Sequence, residues 1–190
     1  MAQPDAAAER RAARGFLLLG AAWLALDQAT KALVVACFGE PGRVHRVLVP
    51  DYCELTYSLN AGAAFGLLAQ HGSARVVLVL VALAALGAVW ACRRTIWALP
   101  WPQRVGLALA TAGALGNLVD RLARGGLVVD FLRCHLRWGS WHYLWPDFNV
   151  ADIGVTCGMA LYIVHALYTD RQLAAREAQA PIDTADARTD

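Results

Sequence analysis

Two aspartates stand where a carboxylate needs a reason to be. Asp130 interrupts the apolar stretch Val128-Val129-Asp130-Phe131-Leu132, and Asp152 follows Asn149 by three residues at the start of a long apolar run. Two carboxyl groups held a few ångströms apart resist ionising together and share a proton, so one serves as base while the other serves as acid. Such a pair can activate water for hydrolysis. For Asp152 a plainer role is also open, because a carboxylate in a first helical turn caps the helix and complements its dipole.

Other ionisable residues fall inside apolar runs, where each is a functional candidate by default. Asp27 and Lys31 are four apart and share a helix face, which suits an ion pair. Asn117, Asp120 and Arg121 occupy one helical sector. Neither an HExxH metal motif nor a GxSxG nucleophile turn is present. His135 and His142 near Cys134 are the nearest approach to a metal cluster, but the histidines are dispersed, so no metal and no cofactor are expected. His165, deep in an apolar run, reads as a packing residue.

The elements that must position these groups are membrane helices. The chain has 190 residues, 58% of them hydrophobic, too apolar for an ordinary soluble domain. Its net charge of +2 is small and its basic residues are scattered, which excludes a nucleic-acid partner. Four apolar runs, Gly15–Phe38, Val76–Cys92, Val105–Leu122 and Ile153–Tyr168, are each within reach of a bilayer's hydrocarbon width. The first run lacks a small-residue cleavage site and reads as an uncleaved helix. Ala108, Ala112 and Gly116 in the third run, with Gly154 and Gly158 in the fourth, offer faces for close helix packing.

Four spans put both termini on one side. Arg10, Arg11 and Arg14 before the first span and Arg93 and Arg94 after the second mark that side as cytoplasmic. The expected organisation is a cytoplasmic N-terminus over 1–14, a four-span domain over 15–168 and a partly disordered cytoplasmic tail over 169–190. Two outer segments, about 39–74 and 123–148, face the other side. In the first, alternation in Arg43–Val49 and Tyr52–Leu59 around Pro50-Asp51 predicts a small β-sheet. The second carries Trp138, Trp141, Tyr143 and Trp145 and reads as a loop lying along the membrane interface. The fold class is thus a mainly α membrane protein, a four-transmembrane-helix bundle with a small outer sheet and an interfacial loop. Of five cysteines, Cys53 and Cys134 both fall in outer segments, and whether they pair stays open.

Five segments in order carry a resemblance: DQATK at Asp27–Lys31, LNAGAAFG at Leu59–Gly66, GALGNLVDR at Gly113–Arg121, VVDF at Val128–Phe131 and FNVAD at Phe148–Asp152. Together they closely resemble the lipoprotein signal peptidases, or signal peptidase II. The resemblance implies an aspartic endopeptidase of the bacterial inner membrane with its active site toward the periplasm. Its substrates would be prolipoproteins carrying a diacylglyceryl-cysteine, and it would act as a monomer among membrane lipids. It also implies Asp130 and Asp152 as the catalytic pair. Asp27, Lys31, Asn60, Gly62, Asn117, Asp120, Arg121 and Asn149 would support it by holding substrate and dyad in register. Two departures stand out: the Gly125-Gly126 doublet and the insert from Arg133 to Trp145. The rival readings are a small transporter, with Asp27, Lys31, Asp120 and Arg121 as a relay, and a structural membrane subunit. The transporter is disfavoured because the second run carries no polar group and the others concentrate theirs toward one side.

Overall fold

A computed structural model describes residues 6–62 and 72–179. Four long helices, one short helix and four strands follow in order: α1 (Ala6–Phe38), β1 (Arg43–Val49), β2 (Cys53–Asn60), α2 (Gly72–Ala91), α3 (Arg93–Ala98), α4 (Trp101–Ala123), β3 (Val128–Trp138), β4 (Trp141–Leu144) and α5 (Val150–Gln179). Three of the expected apolar runs lie within one long helix each, and the second overruns α2 by one residue, Cys92. The expected ends are less accurate. Alanine, glutamate and arginine are strong helix formers, so α1 begins before Gly15 and α5 runs on past Tyr168, making the first part of the tail helical.

The buried face of α1 is largely polar, and the outer flanks of the helices are apolar. In α1 the only buried residues are Asp27, Lys31 and Val34, while Leu17, Leu18 and Leu33 are exposed, as are Val76, Leu80, Val81 and Leu83 of α2 and Ile163, Val164 and Leu167 of α5. Water would not tolerate that distribution over so much surface, whereas lipid would favour it. Two of the helices, α1 and α5, are long and apolar enough to cross a membrane, and α2 has a shorter apolar stretch over Arg75–Ala91. α4 is the central helix, packed against α5, α1 and α2. It touches α5 closely through glycine: a Cβ on Gly106 would strike the Gly158 carbonyl, and one on Gly113 the Ala151 carbonyl. Gly154 is equally confined, against the Trp23 indole and the Leu109 carbonyl. The glycines expected to serve packing in α5 do so.

The strands form one antiparallel sheet in the order β1-β2-β3-β4. β1 and β2 meet around Pro50-Asp51 as expected, with Asp51 in the left-handed region (φ 65°). The second outer segment departs from expectation. It joins the same sheet, β3 pairing with β2, and the insert folds back as β4 through the Gly139-Ser140 turn. A period-2 pattern too short to stand alone acquires its partner only in three dimensions, which is why this stretch reads as a loop in one dimension. The sheet seats Tyr57, Val129 and Phe131 against Val34 of α1.

The Gly125-Gly126 doublet is the device that turns α4 into β3. Both glycines have positive φ (61° and 90°), and the Gly126 N–H bonds back to the Arg121 carbonyl at 2.7 Å, the six-to-one closure of a Schellman end. Any side chain on Gly126 would also collide with Arg75 of α2. Four residues after this turn the chain presents Asp130.

Candidate active site

Asp130 lies on β3 beside Ser58 of β2, almost wholly buried. Its Oδ2 accepts a hydrogen bond from Asn60 Nδ2 at 2.9 Å, and its Oδ1 one from Asn149 Nδ2 at 2.7 Å. Burial and the neighbouring charge of Asp152 push its carboxyl up to about 7, against the pull of the two amides and of Lys31. Neutral donors soften the cost of the charge without cancelling it.

Asp152 sits in the first turn of α5 and is capped and capping at once. The Asp152 N–H donates to Asn149 Oδ1 (3.0 Å), and the Asn149 N–H donates to Asp152 Oδ2 (3.1 Å), a reciprocal capping box. The plain reading of Asp152 as a helix cap is therefore correct, and it does not exclude the other. Asp152 Oδ1 accepts from Asn117 Nδ2 of α4 at 2.8 Å. Asn149 joins the pair, because its Nδ2 faces Asp130 while its Oδ1 and backbone serve Asp152.

Behind the pair lies a second layer. Lys31 Nζ contacts Asp27 Oδ2 (2.9 Å), Asp120 Oδ2 (3.1 Å) and Asn117 Oδ1 (3.0 Å), which occupies its three N–H donors. Each carboxylate then fixes a second element. Asp27 Oδ1 accepts the Ala151 N–H at the start of α5 (2.8 Å), and Asp120 Oδ2 accepts the Val129 N–H one residue before Asp130 (3.1 Å). Lys31 also decides how Asn117 is turned. With its Oδ1 on the ammonium, Asn117 must present Nδ2 to Asp152.

Arg121 closes the ring. Its guanidinium donates to the Asn117 and Gly62 carbonyls, both at 3.3 Å, its Nε has no partner among the described residues, and the Gly62 N–H holds Asn60 Oδ1 at 2.8 Å. All ten residues singled out in the sequence thus belong to one connected hydrogen-bond network. Residues 63–66 of the LNAGAAFG segment lie outside the described residues.

The pair opens into a cleft of about 770 Å³ lined by Asn60, Gly62, Asn117, Arg121, Asp130 and Asp152, and continuing past Val155 and Thr156 down one side of α5. Part of its wall was not anticipated. Arg133 grips Asp147 with two parallel bonds of 2.7 and 2.9 Å, and Thr56 adds a third to Asp147 (3.2 Å). Burial alone would raise the Asp147 carboxyl, but its bonds from Arg133, Ser58 and Thr56 outweigh that and hold it below the usual range. This clamp ties the insert to the segment before α5. Nothing in the spacing of Arg133 and Asp147 announces it. A larger hollow, about 1070 Å³, lies at the far end among α1, α3 and α4, lined by Arg11, Arg94 and Arg104, with Glu9 as its single acidic residue among the described residues. Among the described residues it holds no carboxylate pair.

The residues considered for a metal do not converge. His135 Nδ1 and His142 Nε2 lie 3.1 Å apart, but Cys134 faces Cys53 across the strand pair, and no group of three or more ligand side chains gathers among the described residues.

Fold and site together describe a helical membrane protein with a pair of carboxylates, one buried and one half-buried, at the head of an open cleft. The family model for signal peptidase (SPase) II matches residues 19–168. A lipoprotein signal peptidase of Desulforapulum autotrophicum is 42% identical over 154 residues, covering 76% of this chain and 86% of that protein. One of Symbiobacterium thermophilum is 37% identical over 156 residues, covering 82% and 96%. A solved bacterial membrane enzyme superimposes with a TM-score of 0.68 at 28% identity, covering 83% of this chain and 89% of that one. The chain belongs to the signal peptidase II family, the lipoprotein signal peptidases, and is a membrane protease.

Proposed function

We propose that this protein removes signal peptides from diacylglyceryl-modified bacterial prolipoproteins, with Asp130 and Asp152 activating water at the outer face of the inner membrane. The observation that carries the reading is the pair itself: two carboxylates joined through Asn149 at the head of one cleft, each oxygen held by an amide N–H.

In the proposed reaction the ionised carboxylate takes a proton from water as the oxygen attacks the scissile carbonyl carbon. The protonated carboxyl donates to the carbonyl oxygen as charge develops there. Collapse of the tetrahedral intermediate breaks the C–N bond, and the proton first taken from water is delivered to the departing amine. An Asp130 carboxyl near 7 suits this exchange, because a group titrating close to the working pH gives and takes a proton with little cost either way. The pair shares the proton as a unit.

The cleft's extension past Val155 and Thr156 supports a substrate whose signal helix lies in the bilayer and whose cleavage point meets water at the surface. The exposed apolar flanks of the helices suit its acyl chains. In this reading α1, α2, α4 and α5 all span, both termini are cytoplasmic with Arg10, Arg11, Arg14, Arg93 and Arg94, the sheet lies outside, and one copy forms a complete site. The test is cleavage by the purified protein of a diacylglyceryl-modified precursor beside the same precursor without lipid. The lipidated form is expected to be cut immediately before its modified cysteine and the bare form far more slowly. An intact lipidated precursor, or equal cutting of both, overturns the proposal.

A further inference from the structure

Five cysteines leave one arrangement that the proposed chemistry does not use. Cys53 opens β2 and Cys134 lies in the middle of β3, and the two are register partners in the β2–β3 ladder. The His135 N–H donates to the Tyr52 carbonyl at 2.8 Å, a bond between the residues that flank the two cysteines. They therefore form a pair that exchanges no backbone bond with itself. In antiparallel sheets such pairs bring their Cα atoms to about 4.5 Å, the closer of the two spacings, with side chains on the same face. Cα separations of about 4.4–6.8 Å are those a disulfide spans. The two Sγ atoms stand 4.0 Å apart, and both side chains are partly open to solvent. The other three cysteines, Cys37, Cys92 and Cys157, lie on or beside separate helices and are exposed.

We infer that Cys53 and Cys134 are a disulfide-forming pair that staples β2 to β3. The inference rests on the outer placement of the sheet in the proposed function, since a compartment that oxidises thiols lies on that side of the membrane. The reaction is thiol–disulfide exchange with an oxidant of the disulfide class. One cysteine thiolate attacks the oxidant's disulfide and releases one of its sulfurs as a thiolate. The second cysteine thiolate then attacks the mixed disulfide, expelling the other sulfur. Two electrons pass to the oxidant, which leaves as two thiols carrying the two protons. The staple joins residues 81 apart in sequence. It closes one end of the ladder whose other end carries Asn60 and Asp130, themselves bonded across the same two strands.

The experiment uses the full chain in its native membrane. The membranes are dissolved in a denaturing, non-reducing detergent with a light maleimide that blocks every free thiol, and the protein is then reduced and labelled with a heavy one. The expected result is heavy label on Cys53 and Cys134 alone, and a reducible cross-linked peptide containing both. Reduction should lower the Tm of the wild type and leave that of the Cys53→Ser, Cys134→Ser double variant unchanged. In parallel, a membrane-impermeant maleimide is applied to intact spheroplasts carrying Cys53→Ser. Light label on both cysteines of the wild type, with Cys134 of the variant reached from outside, overturns the pairing while leaving the proposed function standing. If Cys134 is reached only after permeabilisation, the outer placement fails and the staple falls with it.

Discussion

Four aspartates surround the centre of this molecule, and they are held in two contrasting ways. Asp27 and Asp120 face an ammonium, Lys31, at 2.9 and 3.1 Å. Asp130 and Asp152 face neutral amides, from Asn60, Asn117 and Asn149. A buried carboxylate beside a cation has its charge answered on the spot and still accepts backbone, as Asp27 does from Ala151 through its second oxygen and Asp120 from Val129 through the same oxygen that faces Lys31. A carboxylate beside amides is oriented but not neutralised. The first arrangement makes a strut and the second makes a reactive pair. The two meet at Asn117, which takes one bond from Lys31 and gives one to Asp152.

The largest effect of substitution is expected at the amide-held pair. Replacing Asp130 or Asp152 with Asn is expected to lower cleavage by about 10³-fold or more, within the range that a positioned acid or base supplies, while the protein still inserts and accumulates. Cleavage kept by both variants in a lipidated-precursor assay removes the dyad. At the strut the expected effect is on folding. Lys31→Met leaves Asp27 buried without a cation and Asp120 with Arg124 alone, at 3.4 Å, and loss of one partner from a buried ion pair costs about 3–5 kcal/mol. Thermal denaturation in detergent should show a large loss. Adding Asp27→Asn and Asp120→Asn should recover part of it, and no recovery would mean that Lys31 matters for something other than those two charges.

pH sharpens the contrast. Asp130 is raised from 3.8 to about 7 on folding, so between those values the folded protein holds a proton that the unfolded chain has released. Its contribution to stability is fullest below the lower value and is lost as pH rises toward the upper one, by an amount on the order of a few kcal/mol. Asp130→Asn should flatten that part of the stability profile. Parallel profiles for the two proteins would place the proton elsewhere. The smallest effect is expected at the junction: Asn117→Ala removes a hydrogen bond to a charged group, about 1.5–3 kcal/mol, and should reduce kcat roughly ten- to a hundredfold. A change confined to KM would assign Asn117 to substrate binding instead.

Much of this was legible in one dimension, because the signals were local. Apolar runs locate the helices, Pro50-Asp51 locates a hairpin, and a carboxylate amid Val128, Val129 and Phe131 marks itself as costly. The spacing of Asp27 and Lys31 foretells their pairing, but not that Asp120 is the third member, 89 residues further along the chain from Lys31 by their numbers. What stayed hidden depends on partners distant in sequence. β4 needs β3 beside it, the Arg133–Asp147 clamp needs that hairpin to fold back, and the Trp23 indole reaches the Val150 carbonyl across 127 residues. The glycine doublet was visible as an irregularity, and its meaning required the turn it makes.

The reciprocal cap at Asn149 and Asp152 also acts as a measure of length. At the third position of such a box, glutamate or glutamine serves a helix well, so capping by itself does not ask for aspartate. The shorter side chain sets how far the carboxylate stands from the helix axis, and at that reach it meets both the Asn149 N–H and the Asn117 amide. One methylene more would let the cap survive while carrying the carboxylate out of register with Asp130. The first turn of α5 is in this sense a ruler, cut to aspartate.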